Sequence, residues 1–375
     1  MDEFYFNTAH AAFREKVKTF VSTEVTPYVD EWEKKKTFPR DLYIKTGGEG
    51  FLGLGYPENL GGTPGDFFHD VIFTEEIIRG GSVGLASSLG SGSIGLPPVL
   101  ALGTQEQKQK YIPPVIKGEK IAVLGVTEPL GGSDVANLET SAVKKGDRYI
   151  VNGNKIFITS GTRADYVTTA VRTGGPGVGG ISLLVIETNT PGFSASGGFE
   201  KLGWHASDTA EIAFMDCEVP VENLIGEENK GFMGIMVNFQ KERLLLALEA
   251  QVVAQLAFEA SIKIVKAHPS IAKRQAIRHK LAEMATKIEI VRQFNYHNAH
   301  GINQKQNILK QVCMGKNFST SVCDFVVTEA LDLHGACGEV VNPFVERLFR
   351  DSRVFSIGGG TYEIMNQVIA KKLGI

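Results

Sequence analysis

The spacing of apolar residues divides the chain into three zones. Up to about residue 118, apolar residues recur at helical spacing, most clearly over 9–25 and 68–79. From 119 to 228 they alternate as in strands, and from 229 to 375 they return to helical spacing over longer stretches. We therefore predict an α+β protein with an N-terminal helical domain (1–118), a central small β-barrel or sandwich (119–228) and a C-terminal four-helix bundle (229–375).

Turn residues refine the middle zone. Gly146-Asp147 and Asn152-Gly153 are both typical of tight hairpin turns, and both lie between runs rich in β-branched and aromatic residues. Further strands are predicted over residues 166–171, 181–186 and 211–219.

Proline and glycine set the predicted ends of the helices. A short helix that begins at Thr104 is expected to stop at Pro113-Pro114. A long helix over 235–267 contains neither Gly nor Pro and should end before Pro269. The remaining predicted helices of the bundle span residues 271–299, 307–333 and 361–373.

Composition removes several classes of protein. Lys and Arg total 39 and Asp and Glu 42, for a formal net charge of −3, so no basic excess favours nucleic-acid binding. The four cysteines form no C-x-x-C pair, which argues against a zinc ribbon or a disulfide scaffold. His297 and His300 are interpreted as surface helix, and we predict no metal site.

Two observations bear on the location of the protein. The N-terminus has no basic segment followed by an apolar one, so no signal peptide is expected. The most apolar helix, around 244–260, is interrupted by Glu and Gln residues and is not expected to span a membrane. We expect a cytoplasmic protein.

Two segments of the β zone carry candidate chemistry. The first, Thr127-Glu-Pro-Leu-Gly-Gly-Ser-Asp134, offers exposed backbone N–H groups and hydroxyls suited to a flat polar ring and to phosphate oxygens. In the second, Phe157 and Thr159 fall on one face of a strand, where an aromatic plane and a hydroxyl suit a planar cofactor. In isolation, an ordinary loop and a plain core strand explain the same residues.

Two further segments lie in the C-terminal zone. Glu242 and Arg243 precede a helix that is apolar on every face, so the carboxylate either pairs with a neighbour or is kept for proton transfer. Three glycines, 358–360, lead to Thr361 at the start of the last helix, an arrangement that suits an anionic or polar ligand as well as a simple N-cap.

Taken together, these segments resemble the acyl-CoA dehydrogenase family over nearly the whole chain. The resemblance rests on T-E-P-x-G-G-S-D (127–134), K-x-x-I-T-S-G (155–161), V-P-V-E-N-L-I-G (219–226), R-H-K-L-A-E-M (278–284) and R-D-x-R followed by G-G-T-x-E-I (350–364). It implies the same helical–β–helical fold, FAD as cofactor, an acyl-CoA thioester as substrate and a role in fatty acid metabolism.

The resemblance also assigns roles to residues. Glu242 would be the catalytic base, because the position where the family usually carries it is Gly359 here and Glu242-Arg243 is similar to the arrangement in long-chain and isovaleryl-CoA dehydrogenases. The residues implied in FAD binding are Val126, Thr127, Gly132, Ser133, Phe157, Ile158, Thr159, Gln275, Gly335, Thr361 and Glu363. Those implied in substrate binding are Ser133, Gln240, Arg243 and Gly360.

One departure from the family keeps alternatives open. Its R-x-x-F-G motif, whose Arg reaches the neighbouring subunit's FAD, is replaced here by Ile264-Val-Lys-Ala-His-Pro269, and a Gln near the end of the bundle by Asp332. The leading hypothesis is a homo-oligomeric dehydrogenase, dimer or tetramer, that passes electrons to an electron-transferring flavoprotein. The alternatives are a catalytically silent partner subunit and an acyl-CoA oxidase on the same fold.

Overall fold

The computed structural model describes residues 4–338 and 342–375. Its N-terminal part is helical. The helices are α1 (Thr8–Glu24), α2 (Val29–Lys35), α3 (Asp41–Gly48), α4 (Phe67–Arg79), α5 (Val83–Leu89), α6 (Gly92–Gly95), α7 (Pro97–Leu102) and α8 (Gln105–Ile116). The helices predicted over 9–25 and 68–79 are therefore confirmed within one or two residues as α1 and α4.

Helix α8 runs past the prolines that were expected to end it. Pro113 and Pro114 lie inside α8, which continues to Ile116. A proline in the last turn removes few helical hydrogen bonds, and the Pro113 carbonyl still accepts a bond from the Lys117 N–H at 3.2 Å. Tyr111 and Ile112 pack into the core just before the prolines, which fixes this turn from one side.

The middle part forms one mixed sheet of eight strands. They are β1 (Ala122–Gly125), β2 (Ser141–Lys145), β3 (Arg148–Thr159), β4 (Tyr166–Arg172), β5 (Ile181–Glu187), β6 (Phe193–Ser196), β7 (Thr209–Pro220) and β8 (Leu224–Ile225). The hydrogen-bonded order is β6-β7-β3-β2-β4-β5-β8, and β1 pairs in parallel with β4. The helical–β–helical order predicted from the sequence is confirmed, with the strands joined in a single sheet.

Only one of the two predicted hairpin turns is a turn. Gly146-Asp147 joins β2 to β3, with Lys145 paired to Arg148 and Gly146 at a φ of 61°. Gly153 lies within β3, where the register against β7 shifts. Its φ of 142° and the contact that a Cβ would make with Thr140 show why glycine is used there. The predicted hairpin at Asn152-Gly153 is thus wrong, because the glycine serves a bulge.

The C-terminal part is a bundle of long helices. They are α9 (Gly231–Ala267), α10 (Pro269–Ala272), α11 (Gln275–Asn303), α12 (Leu309–Ala336), α13 (Pro343–Ser352) and α14 (Tyr362–Leu373). Helices α11 and α12 are antiparallel, since Asn295 contacts Ser319 and Asn298 contacts Gln311. The three long helices and the shorter last helix predicted for the bundle are present, although α11 begins later than expected because Pro269 opens the separate helix α10.

Helix α9 is the centre of the bundle. It packs against α4, α11 and α12, and its Leu244, Ala247 and Leu248 are fully buried. By length and composition alone α9 could cross a membrane. The Glu and Gln residues in it are therefore weaker evidence against a membrane span than the sequence analysis assumed. In the fold, 61% of the most apolar stretch of α9 is buried by the protein itself, as is typical of the core helix of a bundle.

Candidate active site

The Glu242 carboxyl lies in the interior, one turn before the most apolar part of α9. Its Oε2 atom is buried and has no hydrogen-bond partner in the described part of the chain. Burial raises the pKa of this carboxyl to about 7, although the nearby charges of Arg243 and Lys316 act to lower it. A carboxylate with this pKa can hold or release a proton at neutral pH.

The glycine segment 358–360 passes directly beside this carboxyl. A Cβ on Gly359 would lie 3.5 Å from Glu242 Oε1 and 2.5 Å from Leu246 Cδ1, so a side chain would compete for the same space. Gly359 and Gly360 have φ values of 62° and 103°, which glycine adopts at low cost. Among the described residues, no acceptor pairs with the N–H of Gly359 or Gly360. The segment therefore presents free donors next to the carboxyl.

Two buried cations hold this segment in place. Arg243 Nε donates to the Gly359 carbonyl at 3.1 Å, and Lys316 Nζ donates to the carbonyls of Gly360 at 2.7 Å and Phe355 at 3.0 Å. The Arg243 side chain is only 3% exposed. The guanidinium points inward to the loop, and the substrate-binding role expected for Arg243 stays a prediction.

Lys316 was not predicted from the sequence. It lies on α12 and is fully buried, and burial together with Arg243 lowers its pKa to about 8, with Glu242 opposing the shift. The sequence feature that could have identified it is a single charged residue within 312–323, where every other residue is uncharged.

The second group of predicted residues forms a wall on the sheet. Phe157 is 61% exposed and has a φ of 60°, rare for an aromatic residue. It lies where the β3–β7 register shifts between Lys155 and Ile158. A bulge, rather than simple strand alternation, therefore turns this ring outward. Strain of this kind is common where a ligand is held.

The loop 127–134 is fixed to the same strand. The Thr127 carbonyl accepts a bond from the Ile156 N–H at 2.9 Å. Lys155 Nζ donates to Glu128 Oε1 at 2.7 Å, and both side chains are buried. Gly131 and Gly132 remain exposed, and a Cβ on Gly132 would lie 3.3 Å from Thr127 Cγ2. The exposed ring and the bare glycine backbone are a surface that fits a flat cofactor with polar edges.

Ile158 was predicted among the FAD-binding residues. Its side chain is 3% exposed and belongs to the core, so only its backbone is available to a cofactor. Thr159 is half-buried and pairs with Thr209 on β7. Phe199 contacts the Phe157 ring and lines, with Thr209, a cavity of about 140 Å³ beside this wall.

The other residues predicted to bind cofactor or substrate lie either on the sheet or in the helical bundle. Val126 and Ser133 belong to the loop on the sheet, and Gln240 donates to the Gln306 carbonyl at 3.4 Å, in the segment that follows α11. Thr361 caps α14 by accepting a bond from Ile364 N–H, with Glu363 exposed in the first turn.

Gln275 and Gly335 lie far from the glycine segment. Both are exposed, at the start of α11 and near the end of α12. Gly335 is separated from Lys316, which touches the segment, by 19 residues of helix, or about 28 Å at the usual rise. One chain therefore does not bring all the predicted cofactor residues together, as the implied cross-subunit site requires.

One group of side chains has the composition of a metal site. His10, Asp66 and His69 lie close together, with His10 Nε2 2.9 Å from Asp66 Oδ1. Both histidines already accept a backbone N–H through Nδ1, His10 from Asn7 and His69 from Asp66, in helix-capping boxes. With Nδ1 accepting a bond, the proton of the His10 ring is on Nε2, which donates to Asp66. Helix capping therefore accounts for the position of these three side chains.

Comparisons with known proteins agree over the whole length. Three domain models of one family match: acyl-CoA dehydrogenase N-terminal domain at residues 7–119, middle domain at 123–217 and C-terminal domain at 229–374. An acyl-CoA dehydrogenase of Bacillus subtilis (strain 168) is 37% identical over 366 residues, covering 96% of each chain. The CarC subunit of the caffeyl-CoA reductase-Etf complex of Acetobacterium woodii is 34% identical, covering 98% of this chain and 99% of that one.

The fold is also that of solved structures. The crystal structure of acyl-CoA dehydrogenase from Geobacillus kaustophilus has a TM-score of 0.95 at 39% identity, covering 99% of each chain. The chain belongs to the acyl-CoA dehydrogenase family. It is accordingly an oxidoreductase of the FAD-dependent flavoprotein class, and its substrates are acyl-CoA thioesters.

Proposed function

We propose that this protein oxidises an acyl-CoA thioester to the 2-enoyl-CoA, with Glu242 as the base that removes the α-proton. The observation that carries the proposal is the unpaired, buried Oε2 of Glu242 beside a segment with no side chains. A structural carboxylate in such surroundings would have a partner, because burial without one is costly. A carboxylate kept for proton transfer needs a free oxygen.

The chemistry divides between the chain and its cofactor. FAD, when bound, supplies the acceptor for the hydride that leaves the β-carbon. The loop 127–134 and Phe157 on β3 would hold the flavin, since they offer an exposed aromatic face and bare backbone N–H groups. Glu242 would take the α-proton. Because its pKa is about 7, the carboxyl can be ionised before the proton transfer and protonated after it at neutral pH.

The glycine segment would stabilise the developing enolate. The thioester oxygen gains negative charge as the α-proton leaves, and unpaired N–H donors at Gly359 and Gly360 are suited to that charge. Arg243 and Lys316 are positioning residues here, since they bind the carbonyls of these same glycines and so orient their peptide groups.

The direct test is the Glu242→Gln variant. It should retain FAD absorbance and ligand binding but lose turnover by about 10²–10⁴-fold, the range expected for a positioned base. The measurement is anaerobic bleaching of the flavin by a series of acyl-CoAs. A variant that bleaches at the wild-type rate would reject Glu242 as the base.

The same purified protein separates the other hypotheses. A silent partner subunit would remain colourless after reconstitution with FAD, whereas an oxidase would turn over aerobically and produce hydrogen peroxide. A dehydrogenase would need an added acceptor. We propose an electron-transferring flavoprotein as that acceptor, supported by a relative named as a subunit of an Etf complex. A homo-oligomer is proposed because Gln275 and Gly335 lie far from the glycine segment of their own chain.

A further inference from the structure

A second glutamate lies on the same face of α9 as Glu242. Glu249 follows it by seven residues, which is two helical turns and about 10 Å along the axis. Its Oε2 atom is also buried without a hydrogen-bond partner in the described residues. The proton transfer proposed above makes no use of this carboxyl, and no Lys, Arg or His among the described residues forms an ion pair with it.

The accessible surface of α9 connects the two carboxyls. Between residues 242 and 250, part of the side chain remains accessible at Glu242, Leu245, Leu246 and Glu249, while the other positions are buried. These four are spaced i, i+3, i+4 and i+7, so they form one stripe on the helix. Leu246 adjoins Gly359, which places the stripe beside the glycine segment.

The stripe ends at Glu249. Residues 250–254 are all buried, so the accessible face stops one residue after this carboxyl. At both ends of the stripe the carboxyl Oε2 atom is buried. Burial raises the pKa of Glu242 to about 7 and that of Glu249 to about 8, with the Glu242 charge adding to the latter shift. Two partly accessible leucines therefore lie on the helix between the base and a second carboxyl.

We propose that Glu249 is a specificity residue that hydrogen-bonds a hydroxyl or carbonyl group at the far end of the acyl chain. This rests on the proposed function, because it places the α-carbon at Glu242 and the acyl chain along Leu245 and Leu246. A neutral carboxyl both donates and accepts a hydrogen bond, which suits an uncharged polar group. A methyl terminus would leave the Glu249 oxygens unpaired, which is unfavourable in a buried site.

The experiment compares two substrate series on the same enzyme. Unsubstituted acyl-CoAs from hexanoyl to dodecanoyl are compared with ω-hydroxyacyl-CoAs of equal length, by kcat/KM and by the Kd of non-reactive thioether analogues. The wild-type enzyme should prefer the hydroxylated substrate by about 10-fold at one or two neighbouring chain lengths, the value of one well-placed hydrogen bond. Glu249→Gln should keep that preference, and Glu249→Leu should lose or reverse it.

Glu259 provides the matched control. It lies on the same helix but is exposed and paired with Arg79 and Gln255, so Glu259→Gln and Glu259→Leu should leave the preference unchanged. The proposal is overturned if wild type favours the unsubstituted chain at every length, a result that needs no variant. It also fails if Glu249→Leu keeps the wild-type ratio of the two substrates.

The Glu242→Gln variant separates these failures from a failure of the proposed reaction. If Glu242→Gln is inactive, the proposed reaction is retained even when the Glu249 proposal fails. If Glu242→Gln is active, the proposed reaction itself is rejected.

Discussion

Lys155 Nζ lies 2.7 Å from Glu128 Oε1, and this buried pair joins the two cofactor-facing segments of the sheet. Burial alone would raise the pKa of Glu128, but Lys155 and the N–H groups of Glu139 and Thr140 hold it below its usual value. Burial lowers the pKa of Lys155 to about 8. The pair is therefore ionised at neutral pH, and it fixes the loop 127–134 onto β3.

Breaking this pair from one side should be strongly destabilising. Lys155→Met leaves the Glu128 carboxylate buried without its counter-charge, and we expect a loss of about 3–5 kcal/mol in the free energy of unfolding. The double variant Lys155→Met/Glu128→Leu should recover much of that loss. Urea unfolding of the wild type, the single variants Lys155→Met and Glu128→Leu and the double variant measures the coupling.

An exposed pair gives the comparison for this measurement. Lys110 and Glu187 are also 2.7 Å apart, but their side chains are 51% and 33% exposed. Lys110→Met should cost no more than about 1 kcal/mol. Equal losses at the two sites would show that burial is not what makes the Lys155–Glu128 pair important.

The pH dependence of turnover should report Glu242. The base acts only when ionised, so kcat/KM should rise as pH increases through about 7. Lys316 lowers the pKa of Glu242, so Lys316→Met should move the rising limb to higher pH. Lys144→Met, at an exposed position on β2, should leave the limb in place. A limb that does not move in Lys316→Met would mean that the lysine acts only by holding the glycine segment.

Much of the fold followed from periodicity, and its errors share one cause. The amphipathic pattern of α1 and α4 is local, so it predicted them closely. Gly153 has the local sequence of a hairpin, but the long-range pairing of β3 with β7 makes it a bulge. In the same way Pro113 and Pro114 remain within α8, where the core residues Tyr111 and Ile112 fix the preceding turn. Sequence windows do not contain these distant partners.

The site was predictable where motifs are contiguous and not where contacts are distant. Glu242 and the glycines 358–360 were found from sequence, and the structure places Gly359 next to the Glu242 carboxyl. Lys316 was missed because its partners, the carbonyls of Phe355 and Gly360, are about 40 residues away and are backbone atoms. The bond from Arg243 to the Gly359 carbonyl was missed for the same reason.

Moving the base across the gap should preserve part of the activity. A Cβ at position 359 would lie 3.5 Å from Glu242 Oε1, so a carboxylate carried there could reach the same proton once position 242 is emptied. We expect Glu242→Ala to be inactive and Glu242→Ala/Gly359→Glu to recover measurable turnover. The single variant Gly359→Glu should be impaired, because two carboxyls then compete and a glutamate at a φ of 62° is strained by about 1–2 kcal/mol. Failure of the double variant while it still binds FAD and ligand would show that a base carried at position 359 does not reach the α-proton.

The raised pKa of Glu249 also predicts a change of stability with pH. The folded protein holds a proton on this carboxyl up to a pH of about 8, whereas the unfolded chain releases it near the usual value of 4.5. Between these values the folded state binds more protons, so the free energy of unfolding should fall as pH rises, and it should level off above about 8. Glu249→Gln has no such proton to lose. Its stability should therefore depend less on pH in this window than that of the wild type, and it should exceed the stability of the wild type most clearly at the alkaline end.

Because Glu242 titrates in the same range, the comparison is made between Glu249→Gln and wild type, and again in the Glu242→Gln background. Thermal unfolding at intervals from pH 5 to pH 9 provides the measurement. Parallel curves for the two proteins would show that Glu249 is ionised in the folded state, and would contradict the burial of its unpaired Oε2 atom.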